Sequence, residues 1–243
     1  VTGVQTCALP ISIPRSLTLT MFGDMSVSQL KTKPRNRLPI ITSAISSEKR
    51  SEVITSLNKK LQIGEKIYWV CPLIDQSDEI LKTAFSEEEN SDLSLFSDVS
   101  TRFTELDKAY PNQVAMLHGK MKATLKDQVM QEFKNSKVRI LVATTVIEVG
   151  IDVPDSNLII IENAEKFGLA QLHQLRGRVG RGSKQSYCLL MYNQKKLSKF
   201  ARERLKIMRE SNDGFYIAEQ DLILRGGGEI LGTKQSGEPV FFF

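Results

Sequence analysis

Residues 174–181 read Gln-Leu-Arg-Gly-Arg-Val-Gly-Arg. If they continue one α-helix, Gln174, Arg178 and Arg181 fall at i, i+4 and i+7 and share a face. Leu172, Leu175 and Val179 then point the other way, toward a core. Gly177 and Gly180 flank the polar face, where missing side chains let a ligand come close. Two guanidiniums on such a face suit a polyphosphate and could neutralise the charge that develops in phosphoryl transfer, as arginine fingers do. The competing readings are a solvated basic helix face or contact with DNA phosphates. Each glycine inside a helix costs about 1 kcal/mol relative to Ala. A merely solvated face needs neither glycine, which favours the phosphate reading.

A second stretch, Ala143-Thr144-Thr145-Val146-Ile147-Glu148-Val149-Gly150-Ile151-Asp152-Val153-Pro154, follows directly on an apolar run. Ligands of open α/β sheets gather at the carboxyl ends of strands. The Thr144 and Thr145 hydroxyls there could hold a backbone phosphate, and Gly150 and Asp152 could meet a nucleotide ribose. A threonine-capped strand end with a turn at Gly150 is the plainer alternative. Other residues favour dull roles. Trp69 lies inside an apolar run and reads as core. His118 ends a strand before Gly119 and reads as structural, with a DNA phosphate as the other option. Two histidines, 118 and 173, and no nearby cysteine argue against a metal site. Asp78-Glu79 reads as the start of a solvated helix rather than a magnesium-holding pair. Cys71 and Cys188 fall in apolar strands and read as inert. Lys195, Lys196, Lys199, Arg202, Arg204, Lys206 and Arg209 give one long helix a basic bias that leaves duplex contact and solubility both open.

These residues must be positioned by alternating strands and helices. Strands are expected at 39–44, 67–73, 114–117, 138–143, 158–161 and 186–192. Ser47 can cap a helix with Val53, Ile54, Leu57 and Leu61 at helical spacing, and Gly64 stops it. Residues 86–98, acidic and serine-rich, read as a surface insertion, followed by a helix up to Tyr110. A helix over 122–134 carries Leu125, Val129, Met130 and Phe133 on one side, and another runs over 169–179. Strands separated by helix-length segments imply βαβ units in a parallel α/β sheet. From Leu197 a long amphipathic helix follows, marked by Leu197, Phe200, Ala201, Leu205 and Met208. Asn212-Asp213-Gly214 breaks it before a shorter helix to Leu224. Five of the 15 glycines then fall in residues 226–243, which read as a glycine-rich loop.

Composition narrows the class. The 243 residues are 41% hydrophobic and 25% charged, an ordinary globular mixture. Lysine plus arginine is 33 against 28 acids, a net charge of +5 that permits a nucleic-acid partner without requiring one. No apolar run approaches the ~20 residues of a bilayer span. Three cysteines, widely spaced, argue against a disulfide framework. A soluble, cytoplasmic protein is expected. Residues 1–11 lack charge and period and read as an artefact stub. The terminal Phe241-Phe242-Phe243 is an unusual ending.

The two stretches resemble motifs V and VI of superfamily-two helicases. SIPRSL (12–17), YWVCPLI (68–74), LHGKM (117–121), ATTVIEVGIDVP (143–154), IENAEKFGLAQLHQLRGRVGRG (161–182) and NDGFYIAEQDLILRGGGEILGTKQSG (212–237) together resemble the C-terminal half of the RecG family of bacterial ATP-dependent DNA helicases. The resemblance covers residues 12–237. It implies an α/β fold with a RecA-like parallel sheet and helices on both faces, spanning residues 12–193. A helical hairpin and translocation loop would occupy 194–243. It implies that Arg178 and Arg181, with Gln174, reach ATP held on a first lobe. Gly150 and Asp152 would face the nucleotide, and Thr144 and Thr145 would lie near the DNA backbone. Arg225 and Gln235 fall on the translocation pattern DLxLRGxGExLGxxQSG, with Gly227 where the family more often has proline. Ile13-Pro14-Arg15 matches the tail of motif III. The Thr-Ala-Thr expected before it is absent, with Leu9-Pro10-Ile11 in its place, which supports a false junction near Ser12.

No GxxxxGK[ST] occurs in the chain. ATP and Mg2+ would therefore be held mainly by the first RecA-like lobe, and this chain alone is expected to be inactive. The implied activity is remodelling of branched DNA, such as replication forks and Holliday junctions, in recombination and repair. The implied partners are branched or duplex DNA and the N-terminal lobe and wedge domain of the same protein, with no membrane. Two alternatives stand beside it: the transcription-repair coupling translocase, and a non-catalytic RecA-like nucleic-acid-binding module.

Overall fold

A computed structural model describes residues 38–72, 97–144, 153 and 155–225. Six strands form one sheet: β1 (Ile41–Ser46), β2 (Lys66–Val70), β3 (Val114–Leu117), β4 (Ile140–Ala143), β5 (Ser156–Ile161) and β6 (Tyr187–Tyr192). Their order is β1-β6-β5-β2-β4-β3, and every pairing is parallel. The helices are α1 (Arg50–Gln62), α2 (Ser97–Ala109), α3 (Ala123–Lys134), α4 (Leu169–Arg176), α5 (Lys199–Glu210) and α6 (Gly214–Arg225). The expected strands are all present, within a few residues of their expected ends.

The sheet is covered on both faces, as an all-parallel sheet requires. Side chains of β2 alternate between two cores. Tyr68 and Val70 join Phe133 of α3, Leu172 and Leu175 of α4, Leu205 and Met208 of α5 and Ile217 of α6. Ile67 and Trp69 face the opposite layer, with Val53, Ile54, Leu57 and Leu61 of α1 and Val99 and Leu106 of α2. The rings of Tyr68 and Phe133 lie 5.1 Å apart and tilted, the geometry in which aromatic quadrupoles attract. Helices α5 and α6 thus share the core of the sheet.

Local chemistry sets the element ends. Gly64 adopts φ +80, and its N–H returns to the Leu61 carbonyl, which closes α1. The expected cap shifts by one residue. The Ser46 hydroxyl, not Ser47, accepts from Glu48 N–H and opens a 3-10 turn over Ser47–Lys49 that leads into α1. Helix α2 begins at Ser97, inside the segment read as insertion; residues 86–96 lie outside the described residues. Leu125 and Phe200 were expected inward but are exposed, at 46% and 63%. Each sits in the first turn of its helix.

At the carboxyl edge of the sheet a buried ion cluster ties α1 and α2 of one layer to the sheet. Glu162, just past β5, accepts from the Trp69 indole N–H at 2.9 Å. The same carboxylate holds Arg102 Nε of α2 at 2.6 Å and Arg50 Nε of α1 at 3.4 Å. Arg102 also pairs with Glu105 and lies over the Trp69 ring. Trp69 is core, as expected, but with a satisfied polar handle. Cys71 and Cys188 are buried as expected. Burial pushes the Cys188 thiol up to about 12 despite Arg176 nearby. The neutral thiol is the form the fold favours, so this contribution is full below about 9 and falls as pH rises toward 12. In native protein at pH 8, Cys188 is expected to react with a disulfide reagent at least ~10^3-fold slower than a free thiol, because the thiolate attacks. Thiol titration of native against unfolded chain checks this, and rapid labelling of Cys188 in the native chain contradicts it.

Candidate phosphate-facing site

The loop after β5 runs through Asn163, in the left-handed region at φ +46, and a 3-10 turn over Ala164–Lys166 into α4. Gly168 N–H donates to Gln171 Oε1 at 3.1 Å and starts the helix. The helix does not run on to Val179. It ends at Arg176, so Arg178 and Arg181 lie beyond it rather than on one helix face with Gln174. The hydrogen bonds tighten there from i−4 to i−3: Gly177 N–H reaches His173 O, while Arg178 and Val179 reach Leu175 O and Arg176 O. Arg181 Nε donates to Gly177 O at 3.4 Å, which keeps the last arginine folded back on the turn.

Gly180 also differs from the expectation that it bares a face for a ligand. It sits at φ +78, and a Cβ there would lie 2.9 Å from Ile40 Cγ1. Gly180 is therefore a structural requirement: the backbone turns in the left-handed region and packs against the lead-in to β1. The expected inward residues Leu172, Leu175 and Val179 are buried.

The segment presents its cations unequally. Arg178 is 4% exposed, Gln174 and Arg181 are half-buried, and Arg176, which carried no expectation, is 2% exposed. Residues 169–185 contain no acid but four lysines and arginines: Arg176, Arg178, Arg181 and Lys184. A cationic, carboxylate-free loop of forked donors fits a polyphosphate and not a bare metal ion. Among the described residues, no group of three His, Cys, Asp or Glu could hold a metal.

Arg176 is the functional candidate that sequence reasoning missed. Its Nη1 donates to Met208 O at 3.0 Å and to Ser211 O at 2.8 Å, and Nη2 lies 3.1 Å from His173 Nδ1. Burial lowers its pKa from the usual arginine value. The carboxyl end of α5 supplies the compensating negative potential through its unpaired carbonyls. A second tie runs from Arg204 Nη2 of α5 to Glu165 O at 2.9 Å. Helix α4 packs against both α5 and α6. The arginine segment and the helical hairpin are therefore joined by hydrogen bonds as well as by core packing. A charged residue among leucines on a predicted helix was the only available signal.

Thr144 follows β4 at the carboxyl edge, two strands from β5. It is buried, its N–H donates to Leu117 O at 3.2 Å, and its hydroxyl has no hydrogen-bond partner among the described residues. Thr145, Gly150, Asp152 and Gln235 lie outside the described residues, as does the side chain of Arg225, whose backbone ends α6. So do Asp78-Glu79, residues 1–37 and the glycine-rich loop. His118 is half-buried, with its pKa held below the usual histidine value by desolvation, then by Lys126 and Lys120. The shift favours its neutral form. Its protonation as pH falls below 6.5 costs stability. No helix among the described residues is long and apolar enough to cross a membrane.

The chain resembles curated proteins named ATP-dependent DNA helicase RecG. It is 48% identical over 230 residues to that of Streptococcus pneumoniae, covering 94% of this chain and 32% of the relative. It is 45% identical over 231 residues to that of Escherichia coli, covering 94% and 31%. The chain thus spans about a third of the length of these relatives. Among solved structures, RecG bound to a three-way DNA junction matches at a TM-score of 0.67 and 36% identity, over 86% of this chain and 25% of that one. Yeast Dbp5 bound to RNA and ADP BeF3 matches at a TM-score of 0.52 and 14% identity, over 86% and 51%, a likeness of fold alone. The fold is the RecA-like parallel sheet of helicase C-terminal lobes. The profile described as "Helicase conserved C-terminal domain" matches residues 48–183, more than half of the chain, and the chain belongs to that family.

Proposed function

We propose that this chain is the second motor lobe of an ATP-dependent DNA helicase that remodels branched DNA. Residues 12–193 form the lobe and 194–243 the translocation hairpin and loop. Arg178 and Arg181, oriented by the turn after α4 and assisted by Gln174, close on the phosphates of ATP. The nucleotide and its Mg2+ sit mainly on a first lobe. Gly150 and Asp152 face the nucleotide. Thr144 and Thr145 approach the DNA backbone, and Arg225 and Gln235 engage DNA through the translocation segment.

The observation that carries this reading is the position of Arg176. One short segment holds the phosphate-seeking arginines and is hydrogen-bonded to the end of α5. A shift of Arg178 and Arg181 on nucleotide closure therefore moves the hairpin, which is the coupling a translocase needs. The likeness to RecG sequences extends across 94% of this chain, hairpin included, and supports branched DNA as substrate.

A chain without a phosphate cradle binds ATP poorly and hydrolyses it at background rate. The isolated 243 residues are expected to show no burst or turnover in a single-turnover ATPase assay. Joined to a first lobe carrying a Walker A motif, the chain is expected to support DNA-stimulated hydrolysis. Robust turnover by the isolated chain contradicts the two-lobe reading.

A further inference from the structure

The basic bias of α5 resolves into separate jobs. Arg204 is half-buried and spent on the Glu165 carbonyl. Arg202, Lys206 and Arg209 are exposed and recur at i, i+4 and i+7, which places them on one face about 6 Å and 4.5 Å apart along the helix axis. All three line a single open cavity of about 240 Å3 between α5 and the β1–β6 edge of the sheet. Gln194 adds an amide, and Ala44 and Leu205 form an apolar floor. Among the described residues that line it there is no carboxylate. Among the described residues Lys206 makes a 3.8 Å surface pair with Glu203, an interaction of little worth in water. Three like charges converging on one concavity repel one another, and an apolar floor lowers the local dielectric and sharpens their field. The arrangement is unfavourable when empty and favourable around an anion.

We propose that this cavity is a phosphate-binding cleft for the backbone of duplex DNA, separate from the arginine turn after α4. The inference rests on the DNA-binding reading above and deepens it. The phosphate chemistry is shared with free polyphosphates. The row of cations, extended over two helical turns, favours a run of backbone phosphates over one compact anion. Phosphate contacts of this kind fix the register of a duplex without reading its sequence. Because α5 is tied to the arginine turn through Arg176, a duplex gripped here moves with the hairpin.

The test measures duplex affinity of the 243-residue chain against salt, without nucleotide, for the unaltered chain and R202Q/K206Q/R209Q. Each lost phosphate contact lowers the slope of log K against log salt by about 1. The proposal expects a fall of about 3, with sequence-independent weakening. A control, K59Q/K108Q/K137Q, removes equal charge from exposed lysines elsewhere and is expected to leave the slope within about 0.5 of the original. An unchanged slope in the α5 variant overturns the cleft while leaving the DNA-binding reading intact. An equal fall in the control overturns it in favour of bulk charge. Competition by inorganic pyrophosphate at low concentration, with no change in the duplex slope, assigns the cavity to a free anion and also overturns it. If the unaltered chain binds no duplex, both readings fail.

Discussion

Replacing Arg181 by Ala in a protein that joins this chain to a Walker A lobe is expected to lower DNA-stimulated kcat for ATP at least ~10^3-fold. That loss corresponds to about 4 kcal/mol of transition-state stabilisation. Arg181 is the less buried member of the pair, half-buried at the end of a tight turn. Its Nε donates to Gly177 O at 3.4 Å, within its own turn. R181K is expected to fall nearly as far, because an ammonium keeps the charge but loses the fork that spans two phosphate oxygens. R178A is expected to match it in kcat and in addition to lower Tm, since Arg178 is buried. The KM for ATP should move far less than kcat if the arginines act on the developing charge. A steady-state comparison checks this, and a loss under tenfold contradicts it.

The second large effect concerns Arg176. R176M keeps an apolar stem of similar length and strips the donors. Met208 O and Ser211 O then lose a charged partner, each at about 1–3 kcal/mol when burial keeps water out. The variant also relieves an arginine buried without a carboxylate partner among the described residues, which offsets part of the loss. The expected net cost is about 2–4 kcal/mol, or roughly 5–15 °C in Tm for a domain of this size. R176K retains a charge that reaches one carbonyl at a time and should recover part of the loss. A structural role alone predicts a lower Tm with DNA stimulation intact. The coupling role predicts that, below Tm, R176M still hydrolyses ATP but loses DNA stimulation and strand movement. Thermal melts paired with ATPase and unwinding assays separate these outcomes.

Much of the architecture was legible in local pattern. Helix α1 announced itself through Val53, Ile54, Leu57 and Leu61, all buried. The uninterrupted apolar run of β2 declared a strand covered on both faces. What escaped was set by distant partners. Periodicity at 174–181 fits a helix, but Gly180 answers to Ile40, and the winding tightens before reaching it. Arg176 reads as another motif arginine until α5 is placed 32 to 35 residues on. Glu162 follows an isoleucine run and gives no local sign that Arg50 and Arg102 will reach it from two other helices. The basic residues of α5 looked scattered because sequence shows all faces of a helix at once. Their sorting into Arg204 inward and the Arg202, Lys206 and Arg209 row outward depends on which face meets the sheet.

The most direct measurement is a structure of the joined two-lobe protein with ADP and a phosphoryl transition-state mimic. The account predicts guanidinium nitrogens of Arg178 and Arg181 within hydrogen-bond reach of the mimic, about 2.7–3.2 Å. It also predicts Arg176 still joined to Met208 O and Ser211 O. Arginines turned inward and more than ~6 Å from the mimic, with the phosphates neutralised entirely by the other lobe, contradict it.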